Sequence, residues 1–419
     1  MRVVHLSTSD TAGGASRAMY RLHEGLLQEV VESRIFCLNK QTGDETVMQF
    51  EPSRSLLSRA KRSLRQRQLS WKMKSYKDRP KGGELFLPDR TPYREELMQQ
   101  LPEADIYHLH WVSRFVDIPA FFFQVKKPVV WTFHDMNPFT GGCHYDEGCG
   151  KYATGCGACP QLGSDDENDL SKEVFERKKV ALTRIPSDRF RAVGDSYWIA
   201  AEAQKSGIFE AKQVDTIHYG LDHNLFKPMD KQSIRTLLEI PAGRPVILFG
   251  APGVQNRRKG FRELMDAVEI VRKKIPDLFL LTFGGGNLPD EFGTDHLHLG
   301  HISNDRYLAM VYNAADLFVI PSLQEAFGQT CLEAMACGVP CAGFYTGGIP
   351  DMIKPGKTGY LAETGNPVSL AESIVKTLEH KDELGKNARE MVEESFTLRH
   401  QAEGYVKVYN EVLKNETKR

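Results

Sequence analysis

Short apolar runs alternate with stretches of helical periodicity along most of the chain. The apolar runs predict buried strands at 3–6, 34–38, 105–109, 129–133, 190–193, 214–218, 246–249, 278–283, 317–320 and 341–344. Helical periodicity at 261–274, 305–314 and 369–378 separates the later strands. Strands that alternate with helices are typical of parallel sheets with helices on both faces. The pattern therefore predicts an α/β protein with doubly wound parallel sheets.

Length and local breaks divide the chain into two predicted domains. At 419 residues it is too long for one hydrophobic core, so two domains of about 200 residues each are expected. The segment 219–228 ends a predicted strand with glycine and proline, which favours a junction there. We therefore expect an N-terminal domain at 1–220, a C-terminal domain at 221–395 and a last segment at 396–419 with helical periodicity at 400–414.

Hydropathy and charge narrow the class of protein. No apolar stretch approaches the roughly 18 to 20 residues that cross a bilayer, and residues 1–7 have the pattern of a short strand rather than of a signal peptide. The formal net charge of −1 disfavours general nucleic-acid binding. These patterns predict a cytoplasmic protein.

Glu325 and Glu333 stand eight positions apart, just after a predicted buried strand. Pro321 ends that strand, and the periodicity of 328–336 predicts a helix that Gly338 stops. In an open parallel sheet, ligands bind beyond the carboxyl ends of the strands, where a helix N-terminus attracts phosphate oxygens. The two carboxylates would span about 12 Å, which suits groups that touch two ends of one extended ligand. The alternative is that Glu325 only favours the helix dipole and that Glu333 is a solvated helix residue.

The Glu-x7-Glu run, with Gly338-Val339-Pro340 behind it, resembles the donor-binding signature of retaining glycosyltransferases of family four, which have the GT-B fold. Further segments match the family's other motifs in the expected order, at 250–260, 283–286, 299–302, 347–353 and 356–361. Asp351 stands where the family more often has Glu. The resemblance implies two Rossmann-like, doubly wound parallel-sheet lobes that face an interlobe cleft, and a last helix that crosses back to the first lobe.

The resemblance assigns most of the donor site to the second lobe. Lys259 matches the lysine that grips the donor diphosphate, and Arg258 or Arg257 matches its partner arginine. Fixed positive charge just before a helix suits a diphosphate on chemical grounds as well, although an exposed basic turn is the alternative. Glu325 would bind hydroxyls of the donor sugar, and Glu333 would bind the ribose. The other donor-binding residues that the resemblance implies are Gly300, His301 and Ile302 around the nucleobase, and Phe327, Gly328, Gln329 and Thr330.

Two residues of the first lobe complete the expected site. The segment 11–16 follows a strand and opens a helix, so its backbone can approach a ligand closely, although it is not a dinucleotide fingerprint. By resemblance, Gly14 faces the donor phosphates and the acceptor, and His134, at the end of a predicted strand, hydrogen-bonds the donor sugar. A plain turn and a structural histidine are the alternatives. His110 also ends a strand but is not placed in the catalytic set.

The expected reaction is the transfer of a hexose from a nucleotide-diphosphate sugar with retention of anomeric configuration. Its catalytic residues would be Glu325, His134 and Lys259. The chain lacks Asp-x-Asp, so no metal or other cofactor is expected, and UDP is favoured because it is the family's commonest donor nucleotide. The acceptor would be a saccharide or lipid-linked molecule of surface or exopolysaccharide synthesis. A nucleotide-sugar epimerase on the same fold and a non-catalytic nucleotide-sugar-binding protein are the alternatives.

The segment 54–81 carries eleven Lys or Arg residues and a single acid, Asp78. Apolar residues recur within it at near-helical spacing, namely Leu56, Leu57, Ala60, Leu64 and Trp71. An apolar stripe with basic flanks is typical of a helix on an anionic membrane surface, where a lipid-linked acceptor would also lie. The alternative is a surface helix that packs the stripe on its own domain.

Four of the eight cysteines lie in the glycine-rich segment 143–160, at Cys143, Cys149, Cys156 and Cys159. Cys156 and Cys159 have the spacing of zinc ligands, but the spacing of the first pair is irregular. A structural metal, disulfides and free thiols all remain open, although disulfides are disfavoured in a cytosolic protein. The segment is expected to shape the acceptor side. The other four cysteines lie in apolar elements and are predicted core residues.

Overall fold

The computed structural model describes residues 1–80, 82–253, 256–286 and 295–416. It divides into two compact units. The first unit holds Met1–His218 and the chain from Gln401 onward, and the second unit holds Tyr219–His400. Outside the described residues lie Lys81 of the basic segment 54–81, Val254 and Gln255 of the motif 250–260, and the last three positions of the segment 396–419.

The first unit is built on a parallel sheet of seven strands. The strands are β1 (Arg2–Ser9), β2 (Glu32–Asn39), β3 (Val47–Gln49), β4 (Ile106–Leu109), β5 (Val129–Phe133), β6 (Phe190–Gly194) and β7 (Val214–Thr216), in the spatial order β3-β2-β1-β4-β5-β6-β7. The helices are α1 (Gly14–Gln28), α2 (Leu56–Lys74), α3 (Arg94–Gln100), α4 (Ile118–Gln124), α5 (Leu170–Leu182) and α6 (Tyr197–Lys205). Because parallel strands end at one edge, the segments after β1, β4 and β5 lie side by side.

The second unit repeats this architecture with six parallel strands. They are β8 (Val246–Gly253), β9 (Phe279–Gly285), β10 (His296–His298), β11 (Leu317–Ile320), β12 (Cys341–Phe344) and β13 (Gly359–Ala362), in the order β10-β9-β8-β11-β12-β13. The helices are α7 (Lys231–Leu237), α8 (Phe261–Arg272), α9 (Asp305–Asn313), α10 (Gln329–Ala336), α11 (Ile349–Met352), α12 (Pro367–Glu379) and α13 (Lys381–Ser395). Direct pairing of β8 with β11 brings the segments that follow these two strands together.

A last helix, α14 (Leu398–Glu416), begins in the second unit and packs on the sheet of the first. Its Tyr405 and Tyr409 are buried among Val3, Ile106 and Val130 of the sheet. The Tyr409 hydroxyl also lies 2.7 Å from Nδ1 of His108. Burying an aromatic side chain of this size contributes about 1.5–3 kcal/mol, so the helix is held as a core element of the first unit.

The two parallel sheets confirm the predicted α/β, doubly wound fold class. Strands β5, β11 and β12 have the predicted bounds. Three strands have no counterpart among the predicted ones, and all three lie at sheet edges: β3, β10 and β13. Each has only three or four residues, and β3 and β10 include polar side chains, because an edge strand has less of its surface to bury than a central one.

Helix α2 contacts the first unit through the side opposite its apolar stripe, where Met73 also packs against the buried residues around Phe86. Arg62 pairs with Glu96 at 2.7 Å, and Arg65 pairs with Asp117 at 2.8 Å. All five residues of the stripe are exposed, with Leu64 at 61% and Trp71 at 75% of full exposure. The alternative in which this stripe packs on its own domain is therefore wrong. Among the described helices, none is long and apolar enough to cross a membrane.

Candidate active site

In the second unit, the loops after β8 and β11 bring the predicted diphosphate and sugar residues together. A 3-10 turn, Arg257–Lys259, follows β8 and leads into α8, and Glu325 lies in the loop between β11 and α10. Lys259 Nζ donates a hydrogen bond to Glu325 Oε2 at 2.5 Å. The Ser322 hydroxyl donates to the same oxygen at 3.2 Å. A lysine and a glutamate far apart in sequence thus form one charged centre at the carboxyl edge of the sheet.

Arg258 joins the two loops through its backbone and its side chain. Its carbonyl oxygen accepts a hydrogen bond from the Leu323 backbone N–H at 2.7 Å. Its guanidinium donates to the Gln324 carbonyl at 2.9 Å and lies 3.8 Å from Glu325 Oε2. Arg257 instead pairs with Glu263 at 2.6 Å. Of the two candidate arginines, Arg258 is the one beside Glu325.

Two glycines allow the close approach of these loops. Gly260 has φ +67°, and a Cβ there would lie 1.7 Å from the carbonyl oxygen of Pro321. Gly347 has φ +54°, and a Cβ there would lie 1.8 Å from the carbonyl oxygen of Glu325. Only glycine fits either position, because the left-handed backbone and the contact both exclude a side chain.

Glu325 is ionised in this setting. Burial acts to raise the pKa of its carboxyl group, but the charges of Lys259 and Arg258, with the hydrogen bonds from Lys259 and Ser322, outweigh burial and hold that pKa below its ordinary value. A buried carboxylate beside two cations can accept hydrogen bonds from hydroxyl groups and cannot act as an acid.

Glu333 lies inside α10 and is 3% exposed, so the alternative of a solvated helix residue is wrong for this side chain. Its Oε2 accepts a hydrogen bond from the Tyr312 hydroxyl at 2.8 Å. Gly328, with φ +104°, caps the helix, and Phe327 is buried against Tyr219. Gln329 and Thr330, both half-buried, form its first turn.

The residues predicted to bind a nucleobase follow the edge strand β10. Gly300, with φ +65°, accepts a hydrogen bond at its carbonyl oxygen from Gly284 N–H at 2.8 Å. Gly284 belongs to β9, so this contact joins the ends of the two strands. His301 is exposed and Ile302 is buried. The turn therefore presents backbone and one imidazole to solvent.

In the first unit, Gly14 and His134 both follow strands in the middle of the sheet. Gly14 is exposed and begins α1, and the preceding Gly13 has φ +84°. His134 comes directly after β5 and is half-buried. Its Nε2 lies 3.0 Å from Nδ1 of His110. Burial lowers the pKa of His134 to about 4, only partly offset by Asp135, so the imidazole is neutral at pH 7.

A row of buried side chains continues behind His134, and we call it the histidine chain. In order from the surface it consists of Asp44, Thr46, His23, Ser33, His5, His110 and His134. Burial lowers the pKa of its histidines, to about 4 for His23 and His134 and well below the ordinary value for His5 and His110. All four imidazoles are therefore neutral, so each has one N–H donor and one acceptor nitrogen.

The anchor at Asp44 fixes the direction of every hydrogen bond in the histidine chain. Thr46 donates its hydroxyl proton to Asp44 at 2.6 Å, so Thr46 accepts from Nε2–H of His23 at 2.8 Å. Neutral His23 then accepts at Nδ1 from the Ser33 hydroxyl at 2.7 Å.

The same direction continues to His134. Ser33 accepts from Nε2–H of His5 at 3.0 Å, and His5 accepts at Nδ1 from Nε2–H of His110 at 2.9 Å. His110 Nδ1 in turn accepts from Nε2–H of His134. His134 thus carries its proton on Nε2 and has an acceptor at Nδ1. Its histidine partners were missed from the sequence, although His108 and His110, two residues apart at the end of a strand, indicate a shared face.

The first unit also holds a trio of buried histidines, His5, His108 and His110, whose ring nitrogens lie within 4.8 Å of one another. Both nitrogens of His108 are within 2.7 Å of hydroxyl groups, of Tyr409 and Thr132. Both nitrogens of His5 and of His110 belong to the histidine chain. The trio is therefore a hydrogen-bonded core and does not have nitrogen lone pairs directed at a common point.

Solved structures define the class of fold. The sucrose-phosphate synthase of Thermosynechococcus elongatus superposes with a TM-score of 0.64 at 20% identity, covering 99% of this chain and 100% of that chain. Anabaena HepE in complex with UDP-glucose gives a TM-score of 0.66 at 16% identity, with 98% and 99% covered. With the two parallel-sheet units, these matches show the GT-B fold.

Sequence comparisons find similarity mainly in the second unit. Residues 230–394, which include Lys259 and Glu325, match the family described as Glycosyl transferases group 1. The N-acetyl-alpha-D-glucosaminyl L-malate synthase of Bacillus anthracis is 29% identical over 219 residues, which are 49% of this chain and 55% of that protein. The chain thus spans about half the length of this relative.

Proposed function

We propose that the protein is a retaining hexosyltransferase that uses a nucleotide-diphosphate sugar. The observation that carries this proposal is the ionised Glu325 between Lys259 and Arg258, at the carboxyl edge of a sheet in the segment that matches Glycosyl transferases group 1. UDP is the favoured nucleotide, a choice supported by the UDP-glucose complex of Anabaena HepE.

Each charged group has a distinct task in the proposed reaction. As the bond to the anomeric carbon breaks, negative charge grows on the leaving diphosphate, and Lys259 with Arg258 would stabilise it. Glu325 would accept hydrogen bonds from sugar hydroxyls, and Glu333 would accept them from the ribose. His134 would accept a sugar hydroxyl proton at Nδ1, and Gly14 would let the backbone approach the phosphates. No metal has a task in this scheme.

Transfer assays with a panel of nucleotide sugars, with and without membrane extract, test the proposal. Glu325→Ala should lower kcat about ten- to a hundredfold, the effect of losing a charged hydrogen bond of about 1.5–3 kcal/mol, and should keep nucleotide affinity. Lys259→Ala should weaken nucleotide binding, measured by calorimetry. NMR of the product should show the anomeric configuration of the donor.

Matched controls are Glu269→Gln and Lys273→Ala, both exposed on or beside α8, which should behave as wild type. An altered sugar without transfer would favour an epimerase, and binding without turnover would favour a non-catalytic protein. Wild-type behaviour of both Glu325→Ala and Lys259→Ala would overturn the site assignment.

We also propose that α2 binds the protein peripherally to an anionic bilayer, where a lipid-linked saccharide acceptor lies. The exposed apolar stripe supports this, since the helix already uses its opposite side to contact the first unit. Exposed basic residues flank the stripe, among them Arg59, Lys61, Arg67 and Lys74. Each basic side chain near an anionic surface contributes about 1 kcal/mol, and each inserted apolar side chain adds to it.

A further inference from the structure

Four cysteines that the proposed reaction does not use line one small cavity in the first unit. Cys143, Cys149, Cys156 and Cys159 surround a space of about 20 Å³. A cavity of roughly this size holds one water molecule or one ion. All four are free thiols in the structure, so none of them forms a disulfide bond.

The segment that carries them has no helix or strand of its own beyond three short 3-10 turns. These are Asn137–Phe139, Lys151–Ala153 and Pro160–Leu162, and α5 begins only at Leu170. A long connection without regular structure needs another source of order, such as a cross-link or a metal. Its backbone is also strained near the cavity, because Cys156 and Ala158 have φ values of +58° and +39°.

Hydrogen bonds hold the backbone of two of these cysteines at the wall of the cavity. The Thr140 hydroxyl donates to the carbonyl oxygen of Cys143 at 2.6 Å. The Leu162 backbone N–H donates to the carbonyl oxygen of Cys159 at 3.0 Å.

Two lysines place positive charge beside the same cavity. Lys151 lines it, and its ammonium group donates to the carbonyl oxygens of Gly157 and Ala158. Lys178 is 1% exposed and donates to the carbonyls of Asn137 and Thr140. Burial lowers the pKa of Lys178 to about 8, and the nearby Asp89, Cys143 and Cys156 oppose that effect. An anionic group in the cavity would stabilise both ammonium ions.

A polar atom in the lining is also without a partner. Gln161 lines the cavity and is 7% exposed. Its amide nitrogen donates to the Tyr145 carbonyl at 2.6 Å, whereas its Oε1 has no hydrogen-bond partner among the described residues. This acceptor needs a hydrogen-bond donor, which a water molecule in the cavity would supply.

We propose that Cys143, Cys149, Cys156 and Cys159 bind one zinc ion that orders the segment between β5 and α5. Zinc prefers four thiolates in tetrahedral geometry, and the four thiols would release four protons to solvent on binding. The resulting Zn(S)4 group has a net charge of −2, which the two lysines would balance. Among the described residues, only the histidine trio has three ligand atoms within 4.8 Å of one another, so the sulfur atoms would move together on binding the ion.

Metal analysis of the full-length, tag-free protein tests this proposal. Mass spectrometry should find about one zinc ion per chain, and Cys149→Ser and Cys156→Ser should lower that content at least about fivefold, since three thiolates hold zinc less well than four. Cobalt-exchanged protein should show sulfur-to-cobalt charge-transfer absorption. Chelation should speed tryptic cleavage after Lys151, because the segment loses its order.

Cys149 is exposed, so its substitution separates loss of a ligand from loss of the fold. Cys37→Ala, at a buried thiol in β2, is the matched control and should keep its zinc. Wild-type protein that contains no zinc even after incubation with zinc would overturn the site. So would a zinc content in Cys149→Ser and Cys156→Ser equal to that of the wild type. Failure here leaves the proposed sugar transfer untouched, because its residues lie elsewhere.

Discussion

Asp44 decides which nitrogen of His134 can accept a hydrogen bond, although five side chains of the histidine chain stand between them. Each neutral imidazole passes on the direction set by the anchor. His134 is therefore an acceptor at Nδ1, the atom that the proposed function assigns to a sugar hydroxyl. The residue predicted as catalytic owes this property to partners that sequence motifs do not indicate.

Ser33→Ala should remove this control with little change in volume. Without the serine hydroxyl, His5 loses its acceptor, and both directions of the remaining histidine bonds become allowed. Nitrogen-15 NMR of histidine-labelled protein should show His134 protonated on Nε2 in the wild type and as a mixture of tautomers in the variant. Loss of one buried hydrogen bond should lower the free energy of unfolding by about 1–3 kcal/mol, and kcat should fall in proportion to the fraction of His134 that is protonated on Nδ1.

His301→Asn, at an exposed histidine of the second unit, is the control for this experiment and should leave the His134 signal unchanged. A wild-type protein with His134 protonated on Nδ1 would contradict the direction derived from Asp44.

In the candidate donor site, the position of a charged residue was predictable from the sequence where a glycine stands directly beside it. Lys259 stands directly before Gly260, which must be glycine because its backbone is left-handed and packs closely against the carbonyl oxygen of Pro321. The contact between Lys259 and Glu325 was not predictable, because the sequence places them 66 positions apart and only the pairing of β8 with β11 joins them.

At the scale of elements, the central strands were predictable because burial on both faces leaves an unbroken apolar run. Strand β11 is such a case, with all four residues buried. Strand β10, His296–His298, includes two polar side chains and lies at a sheet edge, so the sequence shows no apolar run there that would predict a strand. The stripe of α2 was visible in the sequence, but the side of the helix that contacts the protein was not, since both sides offer plausible contacts.

Vesicle binding tests the role proposed for α2. Trp71→Glu combined with Leu64→Glu should reduce binding to anionic vesicles, measured by sedimentation, at least about tenfold. Each side chain buried in the bilayer contributes roughly 1.5–3 kcal/mol, and a tenfold change in affinity corresponds to about 1.4 kcal/mol. Neutral vesicles should bind wild type weakly. Both positions are exposed, so circular dichroism should not change.

Val180→Glu, at an exposed valine on α5, is the matched control and should bind as wild type. Equal binding of the double variant and the wild type to anionic vesicles would show that another surface makes the contact.

At the scale of the whole molecule, buried neutral histidines make the first unit sensitive to acid. The first unit buries the four neutral histidines of the histidine chain and His108. Their folded pKa values lie below the ordinary 6.5, at about 4 for His23 and His134. Between these values the unfolded chain binds more protons than the folded one. The free energy of unfolding of the first unit must therefore fall as pH falls from about 6.5 towards 4.

Urea unfolding at pH 7, 6 and 5 measures this sensitivity. All four tryptophans lie before residue 219, so their fluorescence reports the first unit. Its free energy of unfolding should fall by about 1.4 kcal/mol per pH unit for each histidine that is protonated only on unfolding. His301→Asn should not alter the slope. A midpoint that is constant from pH 7 to pH 5 would contradict the burial of neutral imidazoles.

Lys259 and Glu325 pair with each other, so each of these charges already has a partner. Under the proposed function, a compound bearing pyrophosphate would compete for the ammonium group and release the carboxylate for the sugar on the same molecule. A free hexose carries no such anion, so this ion pair would itself favour a nucleotide sugar over a free monosaccharide.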